Sequence, residues 1–194
     1  MIKGFRFATY FILGMFFLEC TPKEQTQTGL GKFSVDTNLS KHDIFKNLSE
    51  YPELKLFNHE KMESATRTAH IIQKISYSDT FYHPSGSFHF EDYKCKAEYQ
   101  GDTLFIWLNN NNGYFGNGVL AEVIRNRFLI KDIDPKTLKG EVTFIHSTPT
   151  YQKLILNRST FKRGDSIYGF IEYTSKIDST ITKNFVGYFR TKIK

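Results

Sequence analysis

The chain is poor in cysteine and proline, and each shortage argues against a class of protein. Its 194 residues include two Cys, five Pro and one Trp. Two cysteines form at most one disulfide, so a small scaffold held together by several disulfides is excluded. Scarce proline and the lack of a long low-complexity stretch after about residue 30 argue against extended disorder. The length suffices for one domain with its own hydrophobic core.

The sequence also lacks the short motifs of common enzymes. It contains no His-Glu-x-x-His, no Gly-x-Ser-x-Gly, no phosphate loop and no glycine-rich dinucleotide motif. The net charge is +6, but the basic residues are spread along the chain, whereas nucleic-acid binders concentrate them on one face. We therefore expect a non-enzymatic protein that uses no cofactor and binds no nucleic acid. A hydrolase whose site is assembled from distant residues stays open as an alternative.

Aromatic residues, by contrast, are abundant. Nineteen Phe and eleven Tyr suit the half-buried surface of a pleated sheet. From residue 86 onward, short apolar segments recur at spacings of about 8 to 12 residues, which favours a β-sandwich. The predicted strands are Ser87–Glu91, Tyr93–Tyr99, Thr103–Leu108, Val119–Ile124, Arg127–Lys131, Glu141–Ser147, Tyr151–Asn157, Ser166–Tyr173 and Asn184–Ile193. We expect a mainly-β fold, an antiparallel sandwich of about seven to nine strands.

The region before these strands has helical features. Ser40 is a candidate N-cap for a helix over Lys41–Glu50. From His59 to about Ile75, apolar residues recur at helical spacing, although the Thr and Ile residues there also suit a strand. We favour helix for that stretch, and so predict a helical segment over about residues 40–76.

A glycine-aspartate pair opens two of the predicted strands, at Gly101-Asp102 and Gly164-Asp165. Glycine supplies the positive φ of a turn, and aspartate bonds back to the turn backbone. The stretch Phe161-Lys162-Arg163-Gly164-Asp165-Ser166-Ile167 resembles the strand-entry turn of immunoglobulin-like and macroglobulin-type modules. The resemblance implies an immunoglobulin-like sandwich and concerns the fold only. Arg163-Gly164-Asp165 also spells an integrin-binding tripeptide, but the need for a turn accounts for it.

The first 27 residues have the layout of an export signal. Lys3 and Arg6 precede an apolar run, Phe7–Leu18, that is too short to cross a bilayer as a helix. Phe17-Leu18-Glu19-Cys20 resembles the lipobox of bacterial lipoproteins, although that family prefers an aliphatic residue where Phe17 stands and a small one where Glu19 stands. The resemblance implies that Cys20 is acylated and anchors the protein to a membrane of the cell envelope, the outer membrane of a Gram-negative bacterium. An uncleaved membrane anchor is the alternative.

This layout divides the chain into three parts. We expect a signal peptide over residues 1–19, a flexible polar tether over 20–32 and one β-rich domain over 33–194, with the sandwich itself over about 86–194. The membrane is then one partner, through the lipid anchor. An envelope protein or a glycan is the other partner to expect.

The loop Asn109–Gly118 is the best candidate for ligand binding. It is rich in Asn and Gly, presents Tyr114 and Phe115, and follows the strand that holds Trp107. Rigid aromatic side chains offer contact area for sugars or peptides. The alternative is a long hairpin connection whose aromatic residues pack against the sandwich.

Residues that ligate metals occur in two places, but neither pattern is complete. His83 and His89 flank a Pro-Ser-Gly-Ser segment, with Glu91 as a third ligand for zinc; surface histidines beside a turn are the favoured interpretation. Asp132 and Asp134 share a face if they lie in a strand, and there could bind a cation. A turn at Asp-x-Asp-Pro is the favoured interpretation. We predict no metal site.

Two further residues are assigned structural roles. Cys95 lies on the inward face of an alternating segment, which predicts a buried, unreactive thiol. His146 lies on the face of Val142 and Phe144, which predicts a hydrogen-bonded histidine at the edge of the core. We predict no catalytic residue.

Overall fold

The computed structural model describes residues 29–55, 62, 64–78, 85–110, 117–134 and 143–194. Within these ranges the chain forms twelve strands, one α-helix and a 3-10 turn over Leu39–Lys41. The helix α1 covers Asp43–Ser49. The strands are β1 (Gly31–Lys32), β2 (Ser34–Val35), β3 (Ala69–Tyr77), β4 (Gly86–Phe90), β5 (Lys94–Gln100), β6 (Thr103–Asn110), β7 (Asn117–Ile124), β8 (Arg127–Asp134), β9 (Thr143–Phe144), β10 (Thr148–Leu156), β11 (Ser166–Lys176) and β12 (Ile181–Lys192).

The strands form two six-stranded sheets that pack face to face, which confirms the predicted β-sandwich. The first sheet has the order β1-β8-β7-β6-β5, with β9 also paired to β8. The second has the order β2-β10-β11-β12-β3-β4. Most neighbours are consecutive in the chain and antiparallel, and β2 runs parallel to β10. The sandwich has more strands than the seven to nine expected, because very short strands and segments before residue 86 also join it.

The core lies between the sheets and follows from the alternation of side chains along each strand. Leu104, Ile106 and Leu108 of β6 point inward and are buried, and β12 contributes Phe185 and Phe189 from the opposite sheet. Side chains in a strand point alternately to the two faces, so every second residue reaches the core. Aromatic residues, among them Tyr93, Phe128 and Tyr173, are the largest apolar side chains that fill this space.

The helix α1 packs on the outer face of the second sheet. Phe45 and Leu48 are buried there and form a small second cluster with Tyr168 and Tyr188. The Phe45 ring meets the Tyr168 ring edge-on, with centroids 5.0 Å apart. The predicted helix is therefore confirmed over Asp43–Ser49, although His42 rather than Ser40 occupies the N-cap.

The prediction of a helix up to Ile75 is wrong. Ala69–Tyr77 is the strand β3, with Ala69, Ile71, Gln73 and Ile75 buried at every second position. The strand pairs with β12 on one side and β4 on the other. A central strand is buried on one face along its whole length, and this tertiary pairing outweighs the helical spacing of its apolar residues.

The sandwich also begins earlier than predicted. Gly31 and Lys32, assigned to the end of the tether, form β1 and pair with Phe128 and Arg127 of β8. None of the helices in the described ranges is long and apolar enough to cross a membrane.

Candidate functional site

A cavity of about 430 Å³ opens beside β8 at the edge of the first sheet. The strand β1 pairs with the beginning of β8, and β9 pairs with its end at Ile133 and Asp134. Between these two pairings the backbone N–H of Ile130 donates to the side chain of Gln152, 3.2 Å away in the opposite sheet. We call this cavity the edge pocket; its lining residues are Leu129, Ile130, Lys131, Asp132, Phe144, Ile145, His146, Ser147, Pro149 and Tyr173.

Asp132 lies at the inner end of the edge pocket, buried and paired with the ammonium group of Lys183. The Nζ–Oδ1 distance is 2.6 Å, and the two side chains are 1% and 0% exposed. The other carboxylate oxygen, Oδ2, accepts hydrogen bonds from Ser147 (2.6 Å), Ser175 (2.7 Å) and Tyr173 (3.0 Å). Because Asp132 belongs to the first sheet and three of its donors to the second, this cluster joins the two sheets.

The cluster fixes the protonation states of its members. Burial alone would raise the pKa of Asp132, but the charge of Lys183 and the hydrogen bonds from Lys183, Ser147 and Ser175 outweigh burial, and the pKa is lowered. Burial, followed by the charge of Asp132, raises the pKa of the Tyr173 hydroxyl above its ordinary value. The same two causes raise the pKa of Tyr93, whose buried hydroxyl has no hydrogen-bond partner among the described residues. At neutral pH Asp132 is therefore ionised and both tyrosines are protonated.

The prediction of a turn at Asp132 and Asp134 is wrong, because both residues belong to β8. The alternation that carries Phe128 and Ile130 into the core carries Asp132 there as well. Asp132 is buried and forms an ion pair with Lys183, so its carboxylate interacts with the protein's own cation and not with a bound metal ion. The signal in the sequence was a charged residue at an inward position: Asp132 in β8 and, with the opposite charge, Lys183 in phase with Phe185 of β12.

The mouth of the edge pocket is aromatic and basic. Phe144 is 53% exposed, and the ammonium group of Lys131 lies 5.2 Å from the centre of its ring. His146 is exposed, so the prediction of a histidine at the edge of the core is wrong. The reason is that the face shared by Phe144 and His146, which the sequence placed inward, points to solvent: Phe144 is exposed as well, and Ile145 between them is partly buried.

Trp107 lies on the outer face of the first sheet, partly buried and stacked on Phe105 with ring centroids 6.3 Å apart. Its indole Nε1 is buried without a hydrogen-bond partner in the described part of the chain, and so is Oδ1 of Asn109, two residues along β6 on the same face. Tyr114 and Phe115 lie outside the described residues. The strands that flank them, β6 and β7, meet at the same end of the sheet as the edge pocket, since Gly118 pairs with Ile133.

Of the other candidates, Cys20 and His83 lie outside the described residues. His89 and Glu91 are exposed, and the described ranges contain no group of three or more His, Cys, Asp or Glu side chains that could hold a metal ion. Cys95 is fully buried, as predicted, and its backbone N–H donates to Thr68 Oγ1 at 3.0 Å.

The turn at Arg163-Gly164-Asp165 is confirmed. Gly164 has a φ of +90°, the left-handed conformation that favours glycine. The Asp165 carboxylate accepts a hydrogen bond from the backbone N–H of Lys162 at 2.9 Å. Arg163 donates to the carbonyl oxygen of Tyr99 at 3.0 Å. Gly164 and Asp165 therefore form the turn itself, and Arg163 ties it to β5 of the first sheet.

Comparison with protein families, with curated proteins and with solved structures finds no significant match to this chain. A function must accordingly be inferred from the chemistry of the edge pocket, of the Trp107 face and of the N-terminal sequence.

Proposed function

We propose that this protein is a lipid-anchored protein of the bacterial cell envelope with a binding or structural role rather than a catalytic one. The non-catalytic role is supported chiefly by the protonation state of Asp132, whose carboxylate is held ionised beside Lys183. A general acid or base works best when its pKa lies near the operating pH. The pKa of Asp132 is lowered and that of Tyr173 is raised, so at neutral pH the carboxylate rests ionised and the hydroxyl rests protonated, both far from their pKa.

The hydrogen bonds of the cluster support the same proposal. Ser147 and Ser175 both donate to the Asp132 carboxylate, whereas a nucleophilic serine donates to a base that can take its proton. The ammonium group of Lys183 is held by the same carboxylate. The ionised carboxylate of Asp132 accepts from four donors. Each of these charge-assisted hydrogen bonds holds its donor in place, so the carboxylate fixes the geometry of the pocket.

The edge pocket suits a ligand that is mainly apolar. Phe144, Ile145 and Pro149 form much of its wall, and its volume lies in the range of small-molecule sites. The O–H groups of Ser147 and Tyr173 donate to Asp132, and their oxygens keep lone pairs that can accept a hydrogen bond from a ligand. A ligand with an apolar body and one donor group therefore fits this wall best.

The test of a non-catalytic role uses chromogenic esters, phosphates and glycosides. The purified protein is assayed with p-nitrophenyl acetate, p-nitrophenyl phosphate and p-nitrophenyl glucoside, beside the variants His146→Ala and Ser147→Ala. We expect no turnover above that of buffer by any of the three proteins. Turnover by the wild type that either variant abolishes would show a hydrolase and contradict the proposal.

The anchoring part rests on the sequence before residue 28. A basic start, an apolar run of twelve residues and a cysteine at its end are the features of a lipoprotein signal, and one acyl chain alone binds a membrane only weakly, so stable anchoring takes more than one. We expect the wild-type protein in the membrane fraction of cells, resistant to extraction with salt, and Cys20→Ala released from that fraction or left as an unprocessed precursor.

A second candidate, glycan or peptide binding at Trp107, is favoured by a separate observation. The indole N–H of Trp107 and the amide oxygen of Asn109 are buried without partners among the residues described. An unsatisfied donor and acceptor beside an aromatic surface suit a hydroxyl-rich ligand. Since Trp107 is the single tryptophan, its fluorescence reports on this face.

The test of this candidate is a fluorescence titration with envelope and dietary oligosaccharides. We expect a saturable shift that Asn109→Ala weakens and Thr103→Ala leaves unchanged, because Thr103 lies on the same outer face at the other end of β6. No shift with any oligosaccharide, or an equal effect of the two variants, would count against binding at Trp107.

A further inference from the structure

A second cavity, of about 440 Å³, lies between α1, β3 and the segment that follows β4. Ile44 and Leu48 of α1 and Ala69 of β3 supply its apolar lining. The remaining wall carries charge of both signs: Arg67 provides a guanidinium group, and Glu50, Glu91 and Asp92 provide carboxylates. We call this cavity the helix pocket. Its volume is in the usual range of sites for small molecules.

Arg67 is held in place but lacks an ionic partner among the described residues. Its backbone N–H donates to the carbonyl oxygen of Tyr51 at 3.1 Å, and its carbonyl oxygen accepts from Nε of Arg190 at 3.3 Å. The Arg67 guanidinium carbon lies 5.4 Å from the centre of the Tyr51 ring. Its Nε is buried, with no hydrogen-bond partner in the described ranges. A partly desolvated guanidinium group is stabilised by a bound carboxylate, which matches its planar geometry.

The carboxylates of the helix pocket do not neutralise Arg67. Within the described part of the chain, none of the ion pairs involves Arg67, Glu50, Glu91 or Asp92. The buried carboxylate of Glu53 accepts hydrogen bonds from the hydroxyl of Thr68 at 2.8 Å and from the backbone N–H of Leu54 at 3.0 Å. Opposite charges that share one cavity without pairing leave room between them for a ligand that carries both charges.

We infer that the helix pocket binds a small zwitterion, an α-amino acid or a short peptide with free ends. The ligand carboxylate pairs with Arg67, and the ligand ammonium group pairs with the carboxylates of Glu91 and Asp92. Binding at this pocket is independent of the lipid anchor and of the edge pocket, because none of the residues involved belongs to either.

The test is calorimetric titration of the full-length protein, in detergent, with four probes: alanine, trialanine, N-acetyl-trialanine and trialanine amide. Alanine and trialanine distinguish an amino-acid site from a peptide site. We expect saturable binding of at least one of these two zwitterions. If the peptide binds, blocking either of its ends weakens binding at least tenfold; if only alanine binds, N-acetylalanine and alanine amide take the place of the blocked peptides.

Variants then separate direct contact from a loss of structure. We expect Arg67→Gln to weaken binding of the zwitterion at least tenfold while leaving the already weak binding of its amide unchanged, since the amide has no carboxylate to lose. We expect the double substitution Glu91→Gln and Asp92→Asn to weaken binding of the zwitterion while leaving the already weak binding of the N-acetyl form unchanged, since that form has no ammonium group to lose. Lys74→Gln, on the exposed face of β3 outside the pocket, is the control and should have no effect.

Three results would overturn the inference. The first is the absence of binding by alanine and trialanine at millimolar concentration. The second is equal binding of the blocked and unblocked forms, and the third is an equal loss of binding by all forms in Arg67→Gln. Each of the last two would show that the charges of the pocket do not recognise the ends of the ligand.

Discussion

Among the residues described, Asp132 and Lys183 are the most deeply buried charged side chains, and they form an ion pair. Removing one partner of such a pair leaves the other charge buried without compensation, which costs about 3–5 kcal/mol. We expect Asp132→Asn to lower the free energy of unfolding by about that amount. Urea unfolding followed by circular dichroism measures it.

The control is Glu122→Gln. Glu122 pairs with Lys131 at 2.6 Å, but the two side chains are 17% and 37% exposed. A pair that water reaches contributes at most about 1 kcal/mol. Equal losses in Asp132→Asn and Glu122→Gln would contradict the conclusion that the buried Asp132 cluster stabilises the fold more than a solvated ion pair does.

The same carboxylate predicts how stability depends on pH. Its pKa is lowered in the folded protein, so its contribution is complete above the ordinary value of about 3.9 and is lost as the pH falls through the folded pKa. We expect the difference in unfolding free energy between wild type and Asp132→Asn to shrink as the pH is lowered from 7 to 3. Urea titrations of both proteins at several pH values measure this difference.

Comparing the two proteins removes effects of other groups. Burial raises the pKa of Glu53; its contribution has the opposite sign, being present at low pH and lost as the pH rises through the folded pKa. Because Glu53 is the same in both proteins, its contribution cancels. A difference between the proteins that stays constant over the whole pH range would show that Asp132 is not held ionised by Lys183.

At the scale of single elements, the sequence predicts a strand wherever apolar and polar residues alternate along it. Most strands after residue 86 were located from local pattern within a few residues, because burial of one face requires a period of two. The strand β3 was not, because its apolar residues also fit a helix and the pairing with β12 that decides the matter is not local. The Asp132–Lys183 pair was missed for the same reason, since its members lie 51 residues apart in the chain.

The close pairing of β3 with β12 gives a prediction of its own. A Cβ atom at Gly187 would collide with the backbone of His70 and Ile71 in β3, whereas one at Gly86, in the edge strand β4, would meet nothing within 4 Å. Overpacking of this kind costs typically about 1–3 kcal/mol. We expect Gly187→Ala to destabilise the protein by at least that amount, and Gly86→Ala to leave stability unchanged or slightly higher.

Thermal unfolding of the two alanine variants, measured side by side, checks this prediction. Because both substitutions add one methyl group to a strand of the second sheet, the comparison isolates the effect of the neighbouring backbone. A Gly187→Ala variant as stable as the wild type would show that β3 and β12 are not in the register described.

At the scale of the whole molecule, composition and turn spacing sufficed to predict a β-sandwich, because the class of fold depends on many weak signals that add up along the chain. The two pockets could not be predicted, because each is formed where elements distant in sequence meet: β8 with residues 144–149 and Tyr173 in one case, α1 with β3 and Glu91 in the other. The candidates found from sequence were instead single residues or loops, such as Trp107.

The central claim, an envelope protein held to the membrane by lipid on Cys20, is tested most directly by the mass of its N-terminal peptide. The protein is isolated from the membrane fraction, digested, and analysed beside Cys20→Ala. We predict a peptide that begins at Cys20 and carries the added mass of acyl chains, absent from the variant. A peptide that begins at Met1, or an unmodified Cys20, would contradict the claim.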